Sequence, residues 1–309
     1  MTKVNTYILA LATLTLAIPF MGRAQQTPVF SEYNYNPFLI NAAYAGVENG
    51  AEATLSNSGF NSQFDGTPQN LSFTFNTRLN EGKMGLGAGI INDQIGVTNA
   101  TQIFAAYAYK IYLNDNMHPY WKVYDRSFIS FGLSAGALLY NEDLLQLGLQ
   151  GDPNFAENIN ATLPAAGMGI LFGHANFFAG VSIPNVLGDT FANQDNIELS
   201  RPMYAYTGYH FATNRYDPQL ILKPSLLFKY ENGAPFQVDV NLSANFKNAF
   251  ELGAGFRTGN TFNFVAGFYL FKNFRALYNY SQIALGNAPI ANTHGILLSY
   301  RAGDGFGRR

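Results

Sequence analysis

The chain has 309 residues, no cysteine and a formal net charge of −2. The missing thiols exclude disulfides, iron–sulfur sites and cysteine nucleophiles, and the charge gives no basic footprint for nucleic acid. Charged residues make up 12% and aromatics 15%, with 27 Phe and 19 Tyr against one Trp, whereas a soluble domain carries about 25% charged residues, so the composition suits a surface shown largely to lipid.

Lys3 precedes an apolar run from Tyr7 to Phe20, and Gly22-Arg23-Ala24 follows it. A positive start, a short apolar region and a small-x-small triplet describe a secretory signal peptide, residues 1–24, cut after Ala24. A membrane anchor helix needs about 20 apolar residues, and Pro19 and Arg23 close this run early. No later stretch reaches that length, so a membrane location requires strands. Residues 25–47 do not alternate; they hold Pro28, Pro37 and several Asn, and read as an ordered coil with at most a helical turn.

Residues 48–301 are expected to form strands, with 302–309 a tail. The first strand is 50–60, and the loop 61–68 has turn chemistry at Asp65-Gly66. Residues 69–79 put Leu71, Phe73 and Phe75 on one face and Asn70, Ser72, Thr74, Asn76 and Arg78 on the other. After a tight turn at Asn80-Glu81-Gly82, residues 83–91 place Gly85, Gly87 and Gly89 on a single face, the mark of a crowded or sharply curved wall. Strands 99–113 and 127–140 flank a polar connection, 114–126, which holds Trp121. An irregular stretch at 141–163, with room for a short helix at 142–149, precedes a hairpin of 164–173 and 176–183. The loop 184–200 is followed by strands 201–211, 219–231, 235–246, 249–258, 261–271, 273–284 and 293–301. Within the stretch Ala234 to Phe246, Phe236, Val238, Val240, Leu242, Ala244 and Phe246 alternate with Gln237, Asp239, Asn241, Ser243 and Asn245. One apolar and one polar face recur throughout.

The fold class expected is all-β: an antiparallel transmembrane β-barrel of about fourteen strands, the even number closing the sheet with both ends on one side. Loop lengths orient it. Connections 80–82, 174–175, 247–248 and 272 are short, as periplasmic turns are, and 141–163 and 184–200 fall on the outer side. The connection at 112–126 breaks the rule. It is either a contact for a periplasmic partner, with Trp121 as a candidate residue, or an overlooked hairpin.

Motifs of known chemistry fall to this reading. Gly132-Leu133-Ser134-Ala135-Gly136 has the spelling of a nucleophile elbow, but that needs a strand-to-helix turn, and here the strand continues. Gly85, Gly87 and Gly89 precede no helix, as a dinucleotide site requires. His118, His174, His210 and His294 are scattered singly, without metal-site spacing. Asp143, Asp152, Glu157, Asp189 and Asp195 cluster in the two long loops, as solvated outer surface does. Tyr140, Phe211, Tyr230, Phe271 and Tyr300 lie near strand ends, as interfacial girdles do. The reading contains no enzyme, no cofactor, and no catalytic or metal-binding residue.

Several stretches resemble the PorP/SprF family of Bacteroidota, outer-membrane barrels of the type IX secretion system. The strongest is Phe30-Ser31-Glu32-Tyr33, followed by Asn36-Pro37-Phe38-Leu39-Ile40-Asn41 and Ala43-Tyr44-Ala45-Gly46; Ala42-Ala43 stands where the family often has one proline before the alanine. Gly66-Thr67-Pro68-Gln69, the run from Gly85 to Gly96, Tyr107-Ala108-Tyr109, Leu222-Lys223-Pro224-Ser225, Gln237-Val238-Asp239 and Arg257-Thr258-Gly259 follow in family order. The chain departs from the pattern after Tyr300, where it continues as AGDGFGRR. The resemblance implies an outer-membrane protein that couples periplasmic machinery to the export or anchoring of surface proteins, a gliding adhesin being one such cargo. It implies outer-membrane lipid, periplasmic ring or peptidoglycan-associated proteins and a secreted cargo as partners. Residues 30–46 would then plug the lumen or form a docking strip at the periplasmic rim, with Phe30, Tyr33, Asn36, Pro37, Asn41, Tyr44 and Gly46 as its candidate contacts. Two other readings stay open: a transporter of small hydrophobic molecules, which wants an apolar lumen, and a porin, which wants an open one.

Overall fold

The computed structural model describes residues 32–60, 66–114, 116–119, 121–147, 157–188, 201–214, 219–283 and 291–306. The signal peptide and Phe30 lie outside the described residues. Fourteen strands form among them: β1 (Glu52–Phe60), β2 (Gln69–Leu79), β3 (Met84–Ile95), β4 (Thr98–Tyr112), β5 (Phe128–Glu142), β6 (Ile159–His174), β7 (Phe177–Ile183), β8 (Met203–Tyr209, resuming at Phe211–Ala212), β9 (Leu220–Tyr230), β10 (Gln237–Phe246), β11 (Phe250–Arg257), β12 (Thr261–Leu270), β13 (Phe274–Ile283) and β14 (Ala291–Arg301). Each pairs antiparallel with the next, and β14 returns to pair with β1, Arg301 lying opposite Glu52. The sheet is therefore a closed barrel, with no lateral edge left to pair with another chain.

The lapse in β8 has a specific cause. Register is unchanged across it, with Gly208 opposite Ser225 and Phe211 opposite Leu222, so this is one strand. Leu220 accepts the Thr213 N–H through its carbonyl at 3.0 Å, which places the even-numbered residues of β9 toward β8. Pro224 is one of these, and it has no N–H to give to the strand opposite.

Burial is inverted relative to a soluble protein. On β2, Leu71, Phe73 and Phe75 are exposed while Asn70, Ser72, Thr74 and Asn76 are buried. The same holds around the barrel, where Phe250, Leu252, Phe264 and Phe268 face out and Asp239, Asn245, Glu251 and Asn263 are buried. Neighbouring strands join inside through polar pairs such as Ser56–Ser72 at 2.7 Å, Thr54–Ser299 at 3.0 Å and Ser281–Asn263 at 2.7 Å. An apolar outside and a hydrogen-bonded inside is the arrangement a barrel needs in lipid.

Two expectations change. The β5–β6 hairpin is taller than the sequence predicts, because the two strands stay paired out to Glu142 opposite Ile159. Leu163 is buried there against Leu138, Tyr140, Ile159 and Ala161, and a 3-10 turn, Leu144–Leu147, lies beyond. The outer connection is therefore shorter than 141–163. On the inner side, the described residues between Tyr112 and Phe128 contain no strand, so that connection is a long loop and not an overlooked hairpin. The short inner turns reverse through left-handed residues, Lys247 and Asn248 in one and Phe271 and Lys272 in another.

Phe73 is 48% exposed at mid-strand. Phe73→Arg is expected to cost about 2–4 kcal/mol in urea-dependent refolding into bilayers, while Phe73→Leu stays near wild type.

Candidate functional site

Residues 32–47 lie inside the barrel. They form three short 3-10 turns, Glu32–Asn34, Pro37–Leu39 and Ala42–Tyr44. Pro37 starts the second with φ already set. The Asn41 side chain caps the third by accepting the Ala43 N–H at 2.8 Å. Such a segment carries many backbone polar groups that no ladder satisfies, and the inward side chains of the wall take them up. Ser182 on β7 donates to the Ile40 carbonyl and Ser130 on β5 to the Ala43 carbonyl, both at 2.7 Å. Lys110 on β4 donates to the Gly46 carbonyl, and Asn76 on β2 accepts the Gly46 N–H at 3.2 Å. Arg275 on β13 donates to the Tyr35 carbonyl at 2.7 Å.

Side chains add further tethers. Asn36 donates to Thr74 at 2.8 Å, Ser225 to Asn34 at 2.8 Å and Asn241 to the Tyr33 hydroxyl at 2.6 Å. The Asn41 amide points to the Ile170 carbonyl at 3.1 Å and the Tyr206 hydroxyl at 3.2 Å. These anchor points sit on strands all around the circumference, so the segment crosses the lumen. One such bond is worth about 1 kcal/mol net, but orphaning a buried partner costs about 1–3 kcal/mol. Withdrawing the segment would orphan many at once.

The wall is shaped to receive it. A Cβ at Gly85 would collide with the Ala45 carbonyl, at Gly87 with the Phe38 ring, at Gly132 with the Ala43 backbone and at Gly169 with the Asn41 side chain. This is why Gly85 and Gly87 share one face of β3, where Gly89 makes room for the Phe104 ring, and it accounts for Gly132 in the Gly132–Gly136 motif. Phe38 also meets Phe104 with ring centroids 5.7 Å apart. Tyr33, Phe38, Leu39 and Ile40 are each buried to within 4%.

Of the residues singled out in the sequence, Tyr33, Asn36, Pro37, Asn41, Tyr44 and Gly46 therefore gather on this segment. Gly46 has φ +63, and a Cβ there would strike the Gly85 and Arg78 backbones. Trp121 is half-buried on the inner loop. That loop folds across the base of the barrel. Tyr124 is buried in the cluster that includes Tyr44 and Val47; its N–H donates to the Ala175 carbonyl at 2.9 Å, and its ring meets Phe128 at 5.3 Å. Lys110, Ser130, Ser182 and Arg275 carry no mark in the sequence beyond the inward parity they share with every other polar wall residue, and Ser225 stands out only within the family-like stretch Leu222–Ser225.

Charged pairs join strands inside the bore. Glu251 pairs with Lys223 at 2.9 Å and accepts from Ser243 at 2.8 Å and from Tyr269. Arg257 grips Asp239 with its shortest contact at 2.7 Å. Arg301 reaches Glu52 at 2.8 Å and Glu48 at 2.9 Å, and Tyr44 donates to Glu48 at 2.8 Å. Burial would raise the Glu48 carboxyl, but Arg301 and the Tyr44 hydroxyl, aided by His210 and Arg275, hold it below the usual range. A cavity of about 260 Å³ remains between the segment and β9–β13, bordered by Tyr35, Lys223, Asn241, Glu251 and Arg275. Among the described residues no three His, Asp or Glu side chains cluster as metal ligands.

The family model described as "Type IX secretion system membrane protein PorP/SprF" matches residues 22–300. No curated protein matches the sequence. Among solved structures, the outer membrane protein Omp33 of Acinetobacter baumannii is similar at 8% identity and TM-score 0.47, covering 83% of this chain and 99% of its own. A KdgM porin is similar at 10% identity and TM-score 0.39, covering 82% and 99%. Outer membrane phospholipase A from Escherichia coli is similar at 8% identity and TM-score 0.36, covering 84% and 95%.

A folded carboxyl held low adds stability above its ordinary value of 4.5, and that stability is lost as the pH falls through the lower folded value. The conductance of the barrel in planar bilayers is expected to stay low above pH 4.5 and to rise below it, as the segment loses its hold. Glu48→Gln should remove that acid-dependent step.

Proposed function

The chain belongs to the PorP/SprF family of type IX secretion system membrane proteins, and from that premise we propose that this outer-membrane barrel is a closed anchor that couples periplasmic machinery to the export or surface retention of secreted proteins. The observation that carries the reading is the occupied lumen: residues 32–47 are hydrogen-bonded to strands around the whole wall. A barrel filled in this way works through its rims and not through its bore. On the inner rim, the loop at 113–127, with Trp121, is the surface for periplasmic ring or peptidoglycan-associated proteins. On the outer rim, the tall β5–β6 hairpin is the surface for exported cargo, a large gliding adhesin being one class. No reaction is assigned to it.

The other readings have less support. A carrier of small hydrophobic molecules wants an apolar bore, whereas the buried wall residues here include Thr54, Ser56, Asn70, Ser72, Thr74 and Asn76. A porin wants the bore open.

Gene deletion with mass spectrometry of surface and spent-medium proteins tests the proposal. Loss of one large surface protein is expected for a dedicated anchor, and loss of every exported protein for a core component. Unchanged export with a fall in small-molecule uptake would overturn the secretion reading. In planar bilayers, the intact barrel is expected to conduct poorly and a deletion of residues 25–47 to conduct well. Equal conductance would mean that the segment does not close the bore.

A further inference from the structure

Residues 303–306 lie beyond the span that the family model matches, and they fold back into the inner mouth of the barrel. Phe306 is held there by side chains and backbone of the barrel wall. The Arg301 guanidinium lies 4.3 Å from its ring centroid and that of Arg275 4.5 Å. The Tyr269 ring meets it edge-on at 5.7 Å. Its N–H donates to the Lys272 carbonyl at 2.6 Å, and its carbonyl accepts from the Asn248 amide at 3.2 Å. Gly303 and Gly305 have φ +75 and +67, and a Cβ at Gly305 would strike the Lys272 carbonyl. Glycine before the aromatic is therefore part of the fit.

The two arginines that hold this ring also hold the lumen segment, one near its start and the other at the residue just past its end. Arg275 donates to the Tyr35 carbonyl at 2.7 Å, and Arg301 pairs with Glu48 at 2.9 Å. We propose that the inner mouth is a peptide-binding site for a glycine-flanked aromatic residue, filled in cis by Phe306, and that its occupancy latches the lumen segment in place through Arg275 and Arg301. The ligand class follows from the walls: two guanidiniums and a Tyr edge for the π face and rim of an aromatic ring, and one acceptor and one donor for the backbone of a peptide turned at glycine. A ligand presented from the periplasm would reach the same site by displacing the tail.

The test uses the full-length barrel in lipid, with a single cysteine at Ala45, which is fully buried in a chain that has no other cysteine. Phe306→Ala is expected to raise maleimide labelling about tenfold, the equivalent of about 1.4 kcal/mol and within the range of desolvated cation–π contacts, while heat-modifiability on gels stays that of a folded barrel. Phe306→Leu, which keeps bulk without the π face, should label nearly as fast. A synthetic peptide of residues 302–309 at millimolar concentration should slow labelling of the Phe306→Ala protein, and the same peptide with Ala in place of Phe should not. Wild-type labelling rates in Phe306→Ala would overturn the latch. Fast labelling without rescue by the peptide would overturn the binding site. Wild-type behaviour of Phe306→Leu would overturn the role of the guanidinium faces.

Discussion

The constraint on which everything else rests is the hydrogen-bonding demand of backbone in lipid. A strand exposed to hydrocarbon must find partners for every N–H and C=O, and only closure supplies them. Closure in turn fixes the parity of every side chain, so that one strand face belongs to lipid and the other to the bore. A bore lined with Asn, Ser, Thr and paired charges is then under a second demand: buried polar groups need partners as well. The lumen segment meets this demand, and its own irregular backbone is satisfied by the same groups. Ser130, Ser182 and Arg275 each donate to one of its carbonyls. Wall and segment are each incomplete without the other.

The charged groups in the bore illustrate how this differs from a water-filled channel. Glu251 is fully buried, yet it is surrounded by Lys223, Ser243 and Tyr269. Asp239 and Arg257 are matched atom for atom. Removing one member of such a pair strands the other in a low-dielectric space, which costs far more than an exposed pair would. These pairs therefore fix the relation between neighbouring strands β9 to β12. The Arg301 network does the same at the β14–β1 seam, where Glu52 receives both Arg275 and Arg301.

Alternation made the barrel legible in the sequence, because Leu71-Ser72-Phe73-Thr74-Phe75 admits few other structures. Strand ends were less legible. Residues 159–163 do alternate, but Pro164 cuts the run off from the strand that follows, and their pairing to β5 depends on contacts such as Leu163 with Leu138, which are distant in sequence. The glycines at 85, 87 and 89 announced a crowded face, but what crowds the first two is Ala45 and Phe38, far back in the chain, and what crowds Gly89 is the Phe104 ring on β4. The segment at 32–47 stands out through its likeness to family members, and its place in the bore follows from partners such as Ser182 and Asn241, whose sequence context gives no hint of it. Phe306 was least legible: a lone aromatic among glycines reads as a tail, and its site is assembled from Asn248, Tyr269, Lys272, Arg275 and Arg301, on three strands and two turns.

The heights of the strands carry a consequence of their own. β4, β5 and β6 have 15, 15 and 16 residues, whereas β7 has seven. At about 3.3 Å per residue, the first group rises well past the thickness that strands of nine to eleven residues cover. In the described residues the collar is thus high on one flank and low on the next, which gives the cylinder a compass bearing. Rotation about the membrane normal ceases to be a free variable for anything that binds the high flank. An assembly that includes this barrel has a fixed front and back.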